Sequence, residues 1–204
     1  MDRAMTAPSP LNLGVLVSGT GTNLQAILDA ISAGTLNAQV KVVISNRPGV
    51  QALSRARNAG VEALTISHKD FVDREAFDHA LVRALRKADV NWVVLAGFMR
   101  VLTPEFLGAF PGRIINIHPS LLPAFPGMDA QKQAFNYGVK ITGCTVHFVD
   151  HGVDSGRIIA QRAVPIESDD DLDALAARIH VAEHALYVEV LREIAAGRVP
   201  PFAS

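Results

Sequence analysis

Five short apolar runs alternate with four segments of helical period across the first 120 residues, and few architectures accommodate that alternation. The runs cover residues 13–17, 40–45, 61–66, 92–96 and 114–118, and the helical segments cover 22–33, 50–59, 74–88 and 104–109. Near-continuous apolar strands separated by helices predict a parallel sheet covered on both faces, the doubly wound α/β arrangement. Ligands of such sheets sit beyond the strand C-termini. Ser18, Gly97, Asn116 and His118 fall there. After Pro123 the pattern changes to a short helix over 128–137 and two extended runs, 141–149 and 158–164. These runs predict an antiparallel or mixed C-terminal extension of a mostly parallel sheet. A long final helix over about 170–196 follows, with Asp169 to Asp171 suited to its positive N-terminal end.

A chain of 204 residues, 49% apolar and 19% charged, is long enough for one globular domain, expected over residues 11–204. Residues 1–10, with Pro8 and Pro10 and no apolar signal core, read as a flexible tail. The formal charge of −1 gives no electrostatic footprint for nucleic acid or an anionic membrane. No apolar run approaches the roughly 20 residues that cross a bilayer. Cys144 is the only cysteine, so there is no internal disulfide and no Cys-rich metal site, which fits a reducing cytoplasm.

The segment from Arg113 to Pro123 carries the strongest chemical signal. Its strand is interrupted by Asn116 and His118, which share one face because alternate strand residues do. An amide donor beside an imidazole suits a reaction that places negative charge on an oxygen and moves a proton. A second signal is the loop Ser18-Gly19-Thr20-Gly21-Thr22-Asn23 between the first strand and the first helix. Its glycines permit a tight turn, and the amides at the helix start make a phosphate site, with Thr22 or Asn23 as candidate cap. It is not a P-loop, which needs a lysine, and Leu24 stands where the dinucleotide fingerprint needs its third glycine. A small phosphorylated metabolite fits better.

Other patterns are weaker. His180-Val181-Ala182-Glu183-His184 matches the H-x-x-E-H motif of inverted zinc peptidases, but a distant third ligand does not fit before Ser204. Those residues read instead as polar positions on a helix face. His147 and His151 lie around a strand end, where a spacing of four has no ligand logic, and His68 and His79 read as surface residues. No G-x-S-x-G occurs, and Cys144 among apolar neighbours reads as a buried, inert thiol. In the loop from Asp150 to Gly156, Asp154 is either an Asx turn or a carboxylate partner for an imidazole, which would favour the charged ring. Spacing alone does not bring it to His118.

SGTGTNLQAI at 18–27, VVLAGFMRVLTPEF at 93–106, INIHPSLLPAFPG at 115–127, GCTVHFVDHGVDSGRIIAQ at 143–161 and EHALY at 183–187 together carry a resemblance. The chain resembles the folate-dependent phosphoribosylglycinamide formyltransferases, over nearly its whole length and in the expected order. The resemblance implies a Rossmann-like formyltransferase fold with a phosphoribosyl-binding N-terminal half and a folate-binding, catalytic C-terminal half. It implies direct formyl transfer from 10-formyltetrahydrofolate, as co-substrate, to the glycinamide amine, without a metal. Asn116, His118 and Asp154 match the catalytic triad. Gly21, Thr22, Asn23 and Glu183 would bind the phosphoribosyl substrate. Arg74, Met99, Arg100, Val101, Leu102, Asn116 and the loop Asp150, His151, Gly152, Val153 and Asp154 would contact the folate. The partners implied are small molecules alone, with the chain a monomer or homodimer. One departure follows FPG: where the family commonly carries a histidine two residues on, this chain has Asp129, within Met128-Asp129-Ala130-Gln131-Lys132.

Two alternatives share parts of these signals. A formyltetrahydrofolate hydrolase would use the same triad but pass the formyl group to water, and usually carries an additional N-terminal domain. A catalytically silent folate- or nucleotide-binding module would keep the pockets without turnover. A methionyl-tRNA formyltransferase would require an RNA-binding domain and basic character that are not found here.

Overall fold

Seven strands form one sheet in the order β3-β2-β1-β4-β5-β6-β7 in the computed structural model, which describes residues 9–202. Of the expected tail over 1–10, residues 1–8 lie outside the described residues. The first five strands, β1 (Leu11–Val17), β2 (Ala38–Ser45), β3 (Glu62–Thr65), β4 (Trp92–Leu95) and β5 (Ile114–His118), pair in parallel. β6 (Ile141–Phe148) and β7 (Ile158–Pro165) add antiparallel, completing the mixed extension that the sequence predicts.

Alternation along each strand divides the core in two. Leu13, Val15 and Val17 of β1, with Trp92 and Val94 of β4, pack on one side against α1 (Thr22–Ser32), α2 (Gln51–Asn58) and α6 (Leu172–Ala195). Leu16, Val93 and Leu95 point to the other side, against α3 (Arg74–Lys87) and α4 (Pro104–Ala109). Double coverage is why β4 reads as an unbroken apolar run. Helix starts follow side-chain chemistry. Asp73 caps α3 by accepting from the Ala76 N–H at 2.7 Å, and Asp171 caps α6 by accepting from Ala174 at 2.8 Å. Thr103 caps α4, with Pro104 in its first turn.

α5 (Ala130–Tyr137) begins two residues later than expected, because Asp129 before it adopts a left-handed φ of 55°. A 3-10 turn, His68–Asp70, appears where no element was expected. It half-buries His68 edge-on against Phe77, correcting its reading as a surface residue, whereas His79 is exposed. Cys144 is fully buried in β6, and burial pushes its thiol up to about 12, so it is inert as expected. No helix among the described residues is long and apolar enough to cross a membrane.

One contact ties the last helix to the sheet. The buried Tyr187 hydroxyl shares its proton between the carbonyls of Leu95 and Ile115, at 2.9 and 3.1 Å. These carbonyls lie on β4 and β5, so the bond sets α6 over the strand ends where the site lies.

Candidate active site

A cavity of about 650 Å³ opens beyond the C-terminal ends of β1, β4 and β5. Its walls are the glycine loop, the segment 95–102, the end of β5, residues 127–131, the loop after β6 and one face of α6. The strand order switches direction at β1, with β2 on one side and β4 on the other, which is where open α/β sheets bind ligands.

His118 lies at the floor, with its side chain 6% exposed. Nδ1 sits 3.2 Å from Asp154 Oδ2, and Nε2 sits 2.8 Å from the Phe125 carbonyl oxygen. Both ring nitrogens therefore face acceptors, and only the imidazolium donates to both at once. The same carboxylate oxygen accepts the Gly127 N–H at 2.8 Å. Desolvation opposes ionisation of Asp154, but hydrogen bonds and the neighbouring histidines outweigh it and hold the carboxyl below its ordinary value. The nearest His147 nitrogen is 3.7 Å away, long for a hydrogen bond, so the Gly127 amide and His118 are the closer supports. Asp154 occupies a left-handed φ of 52°, a conformation that Asp tolerates better than most residues, and it directs the carboxylate back under β5. The pairing that spacing left open is thus present.

Asn116 lies one strand period before His118 and lines the cavity. Its Nδ2 lies 3.3 Å from His147 Nε2, across the β5–β6 pairing that sets Asn116 directly opposite His147. His147 was given no role from sequence. It is 2% exposed, lines the cavity and approaches both Asn116 and Asp154. The signal was in the register of an antiparallel neighbour, which spacing along one strand does not reveal.

At the other end of the cavity Gly21 turns the chain into α1 at φ 73°. It serves as N-cap, with no side-chain cap, which corrects the expectation that Thr22 or Asn23 would do so. The first-turn amides are thereby left without a side-chain acceptor, and such amides suit an anionic oxygen. Asn23 instead donates to Glu183 Oε2 at 3.4 Å, and its own Oδ1 is buried without a partner. Glu183 is buried, and desolvation pushes its carboxyl up to about 7 despite the Asn23 bond. His180 and His184 stack on the same helix with ring centroids 6.5 Å apart. Among the described residues, no group of three or more His, Cys, Asp and Glu is placed to hold a metal ion.

The two ends share a buried link. The Ser18 hydroxyl donates to Asn46 Oδ1 at 2.6 Å and accepts the Met99 N–H at 2.9 Å, tying the glycine loop to the 95–102 segment. Met99, Arg100, Val101 and Leu102 line the cavity, as do Asp150, Gly152 and Val153. Arg74 and His151 do not appear in its wall. Arg74 lies at the start of α3 and donates to the Val101 carbonyl at 3.1 Å, so its contact with the cavity runs through that backbone.

The cavity thus sets a buried His118–Asp154 pair and the Asn116 amide at one end and uncapped helix-start amides at the other, on a doubly wound sheet. Residues 11–191 match the family described as formyl transferase, and the chain belongs to that family. It is 42% identical to phosphoribosylglycinamide formyltransferase of Escherichia coli (strain K12), over 93% of this chain and 89% of that protein. A trifunctional purine biosynthetic protein adenosine-3 of Drosophila melanogaster is 54% identical over 91% of this chain, which spans 14% of that protein's length. The crystal structure of glycinamide ribonucleotide transformylase 1 from Symbiobacterium toebii superposes with a TM-score of 0.93 at 50% identity. That match covers 97% of this chain and 93% of the other.

Proposed function

We propose that this chain transfers the formyl group of 10-formyltetrahydrofolate to the amine of 5-phosphoribosylglycinamide, giving the formylglycinamide ribonucleotide and tetrahydrofolate in purine synthesis. The observation that carries this reading is the buried His118–Asp154 pair beside Asn116, at one end of a cavity whose other end is a glycine loop. A phosphate at the amides after Gly21 sets the substrate along the cavity, and Glu183 with Asn23 is available to its ribose hydroxyls. The apolar stretch of Met99, Val101 and Leu102 suits a flat pterin, with Arg100 and the 150–154 loop beside it. Arg74 supports that wall through Val101.

The amine nitrogen attacks the formyl carbon, and the carbonyl electron pair moves to oxygen. Asn116 donates an N–H to the oxyanion, and the charged His118 ring adds positive potential beside it. Collapse of the tetrahedral intermediate breaks the bond from carbon to folate N10, which takes up a proton as it leaves. A proton from His118, oriented by Asp154, satisfies it, and the proton that the attacking amine sheds, to the Asp154 carboxylate directly or through water, restores the pair for the next turnover. The Phe125 carbonyl must release Nε2 if that nitrogen is the donor. No step requires a metal. The chain works as one domain over residues 11–204, on small molecules, in the cytoplasm, as a monomer or homodimer.

The test is purified protein with 10-formyltetrahydrofolate, followed by folate absorbance with and without the ribonucleotide. Turnover is expected only with both, insensitive to chelators and abolished in His118→Ala. Equal deformylation without the ribonucleotide would mark a hydrolase, and ligand binding without turnover a silent module.

A further inference from the structure

The Asn116 amide has two N–H groups, and an oxyanion donor must keep one of them aimed at the reacting carbon. Its single protein partner in the site is His147 Nε2, at 3.3 Å. The other His147 nitrogen, Nδ1, lies 2.7 Å from the Phe148 carbonyl oxygen. A carbonyl only accepts, so Nδ1 carries a hydrogen. Nε2 cannot both accept from Asn116 and donate to Asp154. The Asn116 contact is 3.3 Å and the Asp154 contact 3.7 Å, and the shorter one requires a lone pair on Nε2.

We propose that His147 is a positioning residue for the formyl transfer. Held as the Nδ1–H tautomer by the Phe148 carbonyl, it accepts one Asn116 N–H and thereby fixes the amide so that its second N–H points to the oxyanion. Were Nε2 protonated, the Asn116 amide would turn its oxygen toward His147 and move its NH2 group away from that contact. His147 thus determines which face of Asn116 the substrate meets. The pairing Asn116↔His147 across β5 and β6 supplies the geometry, and His147 is held there at 2% exposure. The catalytic part of this inference rests on the transferase reading, and the tautomer does not.

Two measurements test it. Nitrogen-15 NMR of histidine-labelled protein, with the His147 signals assigned by their loss in His147→Gln, reports each ring nitrogen directly. A protonated Nδ1 and a bare Nε2 at neutral pH are expected, and a protonated Nε2 would overturn the proposal whatever the activity. Kinetics then separate positioning from packing. His147→Leu, which fills the space without an acceptor, is expected to lower kcat by about 10- to 100-fold with both KM values little changed. His147→Gln, which can place Oε1 near the Nε2 position, is expected to recover much of that loss. In the Asn116→Ala background, His147→Leu should cost almost nothing further, because residues that act as a unit are not additive. Full additivity, or a Gln variant as poor as Leu, would overturn the positioning role. Absence of ribonucleotide-dependent turnover in the unmodified protein would instead remove the transferase reading and leave the tautomer result standing.

Discussion

In the proposed transfer Asn116 donates where negative charge develops, and its replacement isolates that contribution. Loss of one oxyanion donor costs about 10²- to 10³-fold in kcat, so Asn116→Ala is expected to fall in that range with the fold intact. Stopped-flow turnover alongside a thermal melt checks both halves. Glu183 makes a prediction about pH. Its carboxyl is pushed from an ordinary 4.5 to about 7, so the folded state holds a proton that the unfolded chain releases. That stabilisation is fully present below about 4.5 and is lost as pH rises through 7, on the order of 3 kcal/mol. Glu183→Gln has no proton to lose. Urea unfolding should therefore show the variant gaining on the parent between pH 5 and pH 8, and parallel curves would refute the buried-acid reading. His147 was illegible at this scale. Its i, i+4 relation to His151 carries nothing, and its contacts with Asn116 and Asp154 come from a cross-strand register and a returning loop.

Elements were far more legible than their junctions. The apolar strands β1 to β5 announced themselves because both faces are buried, and the two extended runs after Pro123 became β6 and β7. Ends slipped by one or two residues wherever backbone conformation decides, as at Asp129 before α5. The glycine loop was visible as a motif, but its cap was not, since the residue that turns the chain carries no side chain to bond. Gly21 gives the prediction for this scale. At φ 73° an added Cβ would lie 2.6 Å from Ala52 Cβ and 2.8 Å from its Cα, so strain and a clash with α2 coincide. Gly21→Ala is expected to cost about 1–3 kcal/mol and to raise KM for the ribonucleotide while KM for the folate holds. A folate-selective defect would place the phosphate elsewhere.

The molecule joins the glycine-loop end and the His118–Asp154 end of the cavity across one sheet edge. Three long-range contacts hold that arrangement: Asn23 to Glu183, Met99 to Ser18, and Tyr187 to the strand carbonyls. None follows from local pattern, because each joins elements distant in sequence. Tyr187 lies one helical turn after Glu183, so its hydroxyl fixes the helix face that meets the glycine loop. Tyr187→Phe should lower stability by about 1 kcal/mol and raise KM for the ribonucleotide, measured by urea unfolding and initial rates. The claim that unites both ends is direct transfer between two substrates held in one cavity. Carbon-13 in the formyl group of 10-formyltetrahydrofolate follows that atom through a single turnover. The label is expected in the formamide of the ribonucleotide product, in one-to-one proportion with tetrahydrofolate. Label recovered as free formate would contradict it.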